Sequence, residues 1–162
     1  MGAGPHDPGH SELILSGGDA GEPGAAHASA VAFGSRGVLV FGPSGSGKSS
    51  LCLSLMALGA DLISDDRVLV SKRDAALWLS PPAAMQGKVE ARGVGILSAA
   101  HVCEVPLVLA VDMGKTEKDR LPQRRHVTIG GTSIPLLRKT GAPDLPAVLK
   151  IWLTGEGRWN DG

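Results

Sequence analysis

The sequence predicts an α/β domain, and three observations carry that expectation. Gly42-Pro43-Ser44-Gly45-Ser46-Gly47-Lys48-Ser49 fits the pattern G-x-x-x-x-G-K-[ST] at every required position. A strand-like run, Gly37 to Phe41, precedes it, and a helix-forming run, Ser50 to Leu58, follows. Elsewhere, short apolar runs alternate with turn signals, and a helical pattern closes the chain. With 23 glycines in 162 residues, this strand and helix context is what separates the match from chance.

The loop's spacing has a chemical reason. A polyphosphate needs several backbone N–H donors aimed into one small concavity, and glycines let the chain curl that tightly. Lys48 would reach the β- and γ-phosphates, and the Ser49 hydroxyl would hold Mg²⁺. The following helix aims the positive end of its dipole at the same anion, and Gly59 is placed to end that helix.

Bulk properties bound the rest. The 162 residues suit one domain, and 16 basic residues balance 16 acidic ones. That balance argues for neither nucleic acid nor an anionic membrane as partner. No apolar run approaches a membrane span, and the N-terminus lacks a signal-peptide pattern. Gly2 follows the initiator Met, but His6 stands where a myristoylation signal wants Ser or Thr. The cytoplasm is the expected location. Cys52 and Cys103 have neither metal-ligand nor disulfide-framework spacing, and Cys52 reads as a buried reduced thiol.

Taken in order, residues 1–26 are rich in Gly, Ala, Pro and Asp, broken by Leu13-Ile14-Leu15, and read as a flexible tail. The catalytic domain is expected over residues 27–154. His27, Ser29, Val31 and Phe33 alternate with Ala28, Ala30 and Ala32, a strand with one small-residue face. The turn Gly34 to Gly37 should pair it with the loop's strand as a hairpin, placing His27 across from the strand's end. Asp61 to Val70 reads as strand residues flanking adjacent carboxylates, Asp65 and Asp66. In phosphate-loop enzymes such an acid commonly serves Mg²⁺, and two can divide labour between metal and attacking nucleophile.

Ala75 to Leu79 reads as a return strand, ended by Pro81-Pro82. Lys88 to Ile96 reads as a bent strand with Glu90 and Arg92 on one face. Val105 to Val111 reads as a buried strand, and Asp112 to His126 as a polar loop containing Arg120 and suited to docking a partner. An Arg near a phosphate site can steady transferring charge. His126 to Ile129 and Thr132 to Leu137 flank Gly130-Gly131 as a hairpin. Asp144 should cap a helix carrying Leu145, Val148, Leu149 and Trp152 on one side, before frayed residues 155–162.

The order of these pieces discriminates further. His27-Ala28, the loop, Ser64-Asp65-Asp66-Arg67-Val68, Glu90-Ala91-Arg92-Gly93-Val94-Gly95-Ile96 and Asp119-Arg120-Leu121 together resemble the HPr kinase/phosphorylase family. The resemblance covers about residues 27–137 and looks like the catalytic domain alone, the short form known from alphaproteobacteria. It implies a mixed β-sheet with flanking helices, related to the nucleotide domain of phosphoenolpyruvate carboxykinase. It implies ATP and Mg²⁺ as cofactors, HPr as protein substrate, and a homo-oligomer, usually a hexamer.

Residue by residue, the family's catalytic His falls on His27, its loop Lys on Lys48, its proton acceptor on Asp66 and its catalytic Arg on Arg120. Its Mg²⁺ ligands fall on Ser49 and Glu90, with Asp65 assisting. The family's Gly-Arg-Asn triplet near the C-terminus, which serves dephosphorylation by inorganic phosphate, has no match in Leu137 to Pro143. The resemblance therefore implies kinase activity and leaves the reverse reaction and the hexamer undecided. The same catalytic set would also serve a kinase with another protein or metabolite acceptor. A nucleotide-sensing module without transfer activity is the reading from a different class.

Overall fold

The computed structural model describes residues 9–18, 22–141 and 143–161. Its strands are β1 (His10–Leu13), β2 (Ser16–Gly17), β3 (Gly24–Ala26), β4 (Ala28–Phe33), β5 (Arg36–Phe41), β6 (Asp61–Ser64) and β7 (Val68–Arg73). They continue with β8 (Ala76–Ser80), β9 (Lys88–Ala91), β10 (Gly95–Ser98), β11 (Val105–Glu117), β12 (Arg125–Ile129) and β13 (Thr132–Thr140). Among the described residues two α-helices, α1 (Lys48–Ala57) and α2 (Leu145–Thr154), and a single 3-10 turn at Ala83–Met85 complete the fold.

Eleven strands join into one mixed sheet that branches at β11. One arm runs β1-β12-β13-β11-β5-β4-β6, with β5 and β13 parallel to β11 on its two sides. The other arm leaves the start of β11 through antiparallel β8, β7, β3 and β2. Thirteen-residue β11 can serve both because its first residues pair with β8 and its later ones with β5 and β13.

Strand alternation explains how the layers close. Ala28, Ala30, Ala32 and Leu39 point into a core shared with Leu77 and Leu79 of the other arm. Val31, Val38 and Val40, one residue out of step, point to the opposite side and pack with α1 and α2. The small alanine face of β4 is what lets the two arms approach. On α1, Lys48, Leu51, Cys52 and Leu55 are buried, the i, i+3, i+4, i+7 spacing of one face. Cys52 sits in this layer as a free thiol whose burial pushes its pKa well up, so it is inert packing. No helix among the described residues is long and apolar enough to cross a membrane.

Helix α1 ends as expected. Gly59, at φ 107°, sends its N–H to the Met56 carbonyl, and Ala60 N–H reaches the Leu55 carbonyl. That is the paired bonding of a Schellman cap, which needs the left-handed residue that Gly supplies.

Several elements differ from expectation. Part of the segment read as a tail, residues 1–8 and 19–21, lies outside the described residues, as do Gly2 and His6 within it. The remainder supplies β1, β2 and β3; β1 adds in parallel to β12, pairing His10 with His126. Lys88 to Ser98 forms a two-stranded hairpin, β9–β10, rather than one bent strand, so Arg92 sits in its turn. The glycines mark that reversal. The polar loop is shorter than read: β11 continues through Glu117 and β12 begins at Arg125, leaving residues 118–124. Charged residues extend these strands because pairing continues past the core: Lys115 is exposed there, while Glu117 and Arg125 satisfy each other as a pair.

At the C-terminus, Asp144 occupies the N-cap position of α2 but makes no side-chain capping bond. The buried stripe is Leu145, Leu149 and Leu153, whereas Val148 is 43% exposed. Residues 155–161 carry no helix or strand, yet Trp159 packs edge-on against Trp152 and His126. Arg36 also donates to the Gly155 carbonyl at 2.7 Å, and Arg124 pairs with Asp161.

Where β11 meets β12, Arg125 Nε donates to Glu117 Oε2 at 2.9 Å, and each side chain is only 11% exposed. The Arg125 hydrogen bond, against the opposing effect of burial, holds the Glu117 carboxyl below its ordinary 4.5. A depressed carboxylate stabilises the fold above its unfolded pKa and loses that contribution as pH falls through the folded value. Glu117→Gln should therefore lower stability by about 1–3 kcal/mol at neutral pH. Denaturant melts at several pH values should also show a flatter loss below about pH 4.5 than in the parent.

Candidate active site

The loop between β5 and α1 is held by backbone geometry. Gly42, Gly45 and Gly47 have φ of 145°, 81° and 99°. Ser46 N–H closes a turn onto the Pro43 carbonyl at 3.1 Å, and Gly47 stands at the N-cap of α1. A side chain at Gly42 would put Cβ 2.9 Å from Gly114 N, against backbone that cannot move aside. Gly42→Ala should thus disturb the loop twice, by contact and by φ, costing about 1–3 kcal/mol. A lowered melting temperature checks that, and a Gly131→Ala control, with a φ of 79° but open space where its Cβ would stand, separates the contact from the φ penalty.

Lys48, the first residue of α1, is 7% exposed, and its Nζ donates to the Gly42 carbonyl at 2.7 Å and the Pro43 carbonyl at 3.1 Å. No carboxylate balances it among its described contacts. The ammonium is folded back onto the loop, a position from which it can swing to an anion seated there. Ser46 Oγ is buried without a partner among the described residues, one more hydroxyl at the same loop.

Facing the loop stand the two acids that follow β6. Asp65 is 6% exposed and gathers donors. Its Oδ1 accepts from Ser49 Oγ at 2.8 Å and Ser29 Oγ at 2.9 Å, and its Oδ2 accepts from Glu90 N–H at 3.1 Å. Those bonds draw in α1, β4 and β9, so one carboxylate ties three elements to the loop. Asp66 is the opposite case. Its side chain is 71% exposed, and His27 Nε2 lies 3.0 Å from its Oδ1. Its backbone is left-handed, at φ 70°, a region that Asp tolerates better than most side chains. The reversal after β6 turns its carboxyl outward while Asp65 points in.

The structure thus brings His27, Lys48, Ser49, Asp65 and Asp66 to one place, with Pro43 and Ser44 in the loop itself. The expected pairing of β4 and β5 accounts for His27, since Ala28 lies opposite Phe41. Glu90 arrives by its backbone N–H, and its side chain is exposed with no described contact to Asp65 or Ser49. Arg120 lies in the exposed 118–124 segment with no described hydrogen bond or ion pair. Among the described residues, no three His, Cys, Asp or Glu side chains gather as a metal cluster.

The donor chemistry still fits Mg²⁺. That ion keeps several waters and takes one or two protein ligands beside substrate phosphates. Ser49 Oγ and Asp65 Oδ1, already within 2.8 Å of each other, are such a pair. The larger described cavity, about 440 Å³, lies elsewhere, lined by Leu13, Val70 and Gly130 among others, and shares no residue with this site.

Sequence reasoning passed over three residues here. Ser29 reads only as a strand position until its contacts are known. Lys139, near the end of β13, donates to the Ser46 carbonyl at 3.4 Å. Asp112 is 9% exposed, pairs with Phe41 just before the loop, and accepts from Gly114 N–H at 2.8 Å. It thereby shapes the backbone that abuts Gly42. Only an acid at the end of an apolar strand hinted at Asp112, and the β5–β11 pairing that gives it meaning is not local in sequence.

Comparison with known proteins extends the picture. Residues 21–129 match the family described as HPr Serine kinase C-terminal domain. Among curated relatives, the HPr kinase/phosphorylase of Streptococcus mutans is 34% identical over 121 residues, 65% of this chain and 39% of that protein. The HPr kinase/phosphorylase of Streptococcus equi subsp. zooepidemicus is 36% identical over the same shares. The chain therefore spans about two fifths of the length of the curated relatives it matches. The solved HPr(Ser) kinase/phosphatase of Coxiella burnetii aligns with TM-score 0.66 and 24% identity, covering 78% of this chain and 91% of that one. It shares the fold.

Proposed function

Since the chain belongs to the HPr serine kinase C-terminal domain family, we propose that it transfers the γ-phosphate of ATP to a seryl hydroxyl of an HPr-like phosphocarrier protein. The observation that carries this reading is the division of labour between adjacent acids. Asp65 is buried and bonded to the loop's Ser49, and Asp66 is exposed and bonded to His27. That difference supports a role at a metal for the first and at an acceptor arriving from solvent for the second.

In this reading the loop's N–H groups and the α1 N-terminus receive the triphosphate. Ser49 and Asp65, with Glu90 at the margin, would hold Mg²⁺, and the chemistry it would supply there is neutralisation of phosphate charge. Lys48 leaves its carbonyl partners for the phosphates. Asp66 accepts the seryl proton as the oxygen attacks phosphorus, and His27 orients the Asp66 carboxylate. Arg120 steadies the transferring charge from the 118–124 segment. Assembly as a homo-oligomer, a hexamer in the family's usual form, belongs to the same proposal, as does a cytoplasmic location beside HPr.

The test is direct. The chain is incubated with γ-labelled Mg·ATP and HPr, and HPr is examined by mass spectrometry for a phosphoserine. Stoichiometric label on one HPr serine is the expected result. ATP binding with no label on HPr would overturn the assignment of the acceptor.

A further inference from the structure

We propose that Ser29 is a positioning residue that holds Asp66 in its working orientation and ties it to Asp65. The proposal rests on the reading of Asp66 as the base given above. Ser29 lies on β4 and is fully buried. Its Oγ donates to Asp65 Oδ1 at 2.9 Å and accepts from Asp66 N–H at 3.2 Å. A hydroxyl has one proton and two lone pairs, so both bonds form at once. One oxygen therefore joins the acid proposed for the metal to the acid proposed for the proton.

The two bonds are not equivalent. Asp65 is held without Ser29, because Ser49 Oγ and Glu90 N–H also bond its carboxylate. Among the described contacts, Ser29 is the side chain that holds the Asp66 amide. That amide belongs to a residue at φ 70°, a conformation a non-glycine residue keeps when its surroundings fix it. On the other side, the His27–Asp66 pair is 57% and 71% exposed, too wet to define one geometry alone. The carboxylate's aim is thus set from beneath, through the backbone, by a strand that also carries His27 at its entry. Donation to Asp65 Oδ1 fixes the rotation of the Ser29 hydroxyl, with a lone pair left toward Asp66 N–H.

Ser29→Ala is expected to fold, since its neighbours in β4 are themselves alanines and Asp65 keeps two donors. A small displacement of a reacting group is costly, so kcat with HPr should fall about 10- to 100-fold. KM for Mg·ATP should stay within about threefold, because ground-state nucleotide contacts do not involve Ser29. Ser29→Thr keeps the hydroxyl and should recover most of the lost kcat. Hydrogen exchange gives a readout independent of activity: the Asp66 amide should be protected in the parent and exchange about tenfold faster in Ser29→Ala.

Unchanged kcat in Ser29→Ala would overturn the proposal, as would a parallel loss of kcat, nucleotide affinity and melting temperature. An unprotected Asp66 amide in the parent would overturn it as well. A parent chain with a protected amide but no transfer to HPr would instead sink the kinase reading on which it rests.

Discussion

Asp66→Asn should lose phosphate transfer by about 10²- to 10⁴-fold and still bind Mg·ATP with nearly parental affinity. The substitution keeps size and polarity, so the left-handed backbone and the Ser29 contact to its N–H remain. It removes the carboxylate's charge and with it the capacity to take a proton. Asp66 bonds neither the glycine loop nor Ser49 among the described contacts, so nucleotide affinity has little reason to change. Asp65, one residue earlier, is expected to respond in the other way, because it holds Ser49 and the Glu90 N–H. Isothermal titration with a non-hydrolysable ATP analogue, beside single-turnover transfer to HPr, separates the two. If Asp66→Asn binds nucleotide tenfold more weakly and transfers at the parental rate, the roles are reversed and Asp66 belongs to the metal.

Much of this was legible in one sequence, and the reasons are local. The glycine loop, its strand and its helix are contiguous, so spacing alone specifies their geometry. The β4–β5 and β12–β13 hairpins announce themselves through glycine turns between alternating runs. Asp65 and Asp66 are adjacent, and any sharp turn after a buried strand separates the directions of neighbouring side chains. What stayed hidden depends on pairing between distant segments. Asp112 gains its place only because β11 runs parallel to β5, and Ser29 only because β4 runs beside β6. The strands drawn from the glycine-rich start of the chain could not be read either. His10 to Leu13 has little intrinsic strand propensity and is ordered by an edge, that of β12, that lies more than a hundred residues on.

Lys48→Met should abolish the nucleotide response while leaving the unliganded fold as stable as the parent or slightly more so. The signs differ because the two states ask different things of the ammonium. In the structure Lys48 is 7% exposed and held by two neutral carbonyls, those of Gly42 and Pro43. Carbonyl dipoles compensate a buried cation only in part, so its desolvation opposes folding. Methionine has a similar unbranched shape, fills the same space beside the α1 face and carries no charge. With nucleotide, the same ammonium would face the β- and γ-phosphates, where charge-assisted bonds contribute about 1.5–3 kcal/mol each. Two such bonds correspond to roughly 10²- to 10⁴-fold in affinity. Thermal melts with and without Mg·ATP read both terms, since a ligand binding at 100 times its Kd stabilises the parent by about 2.7 kcal/mol. The parent curve should shift upward with ATP, and the Lys48→Met curve should not move. A Lys48→Met chain that melts well below the parent without nucleotide would show that the ammonium supports the empty loop, against its proposed service to the phosphates.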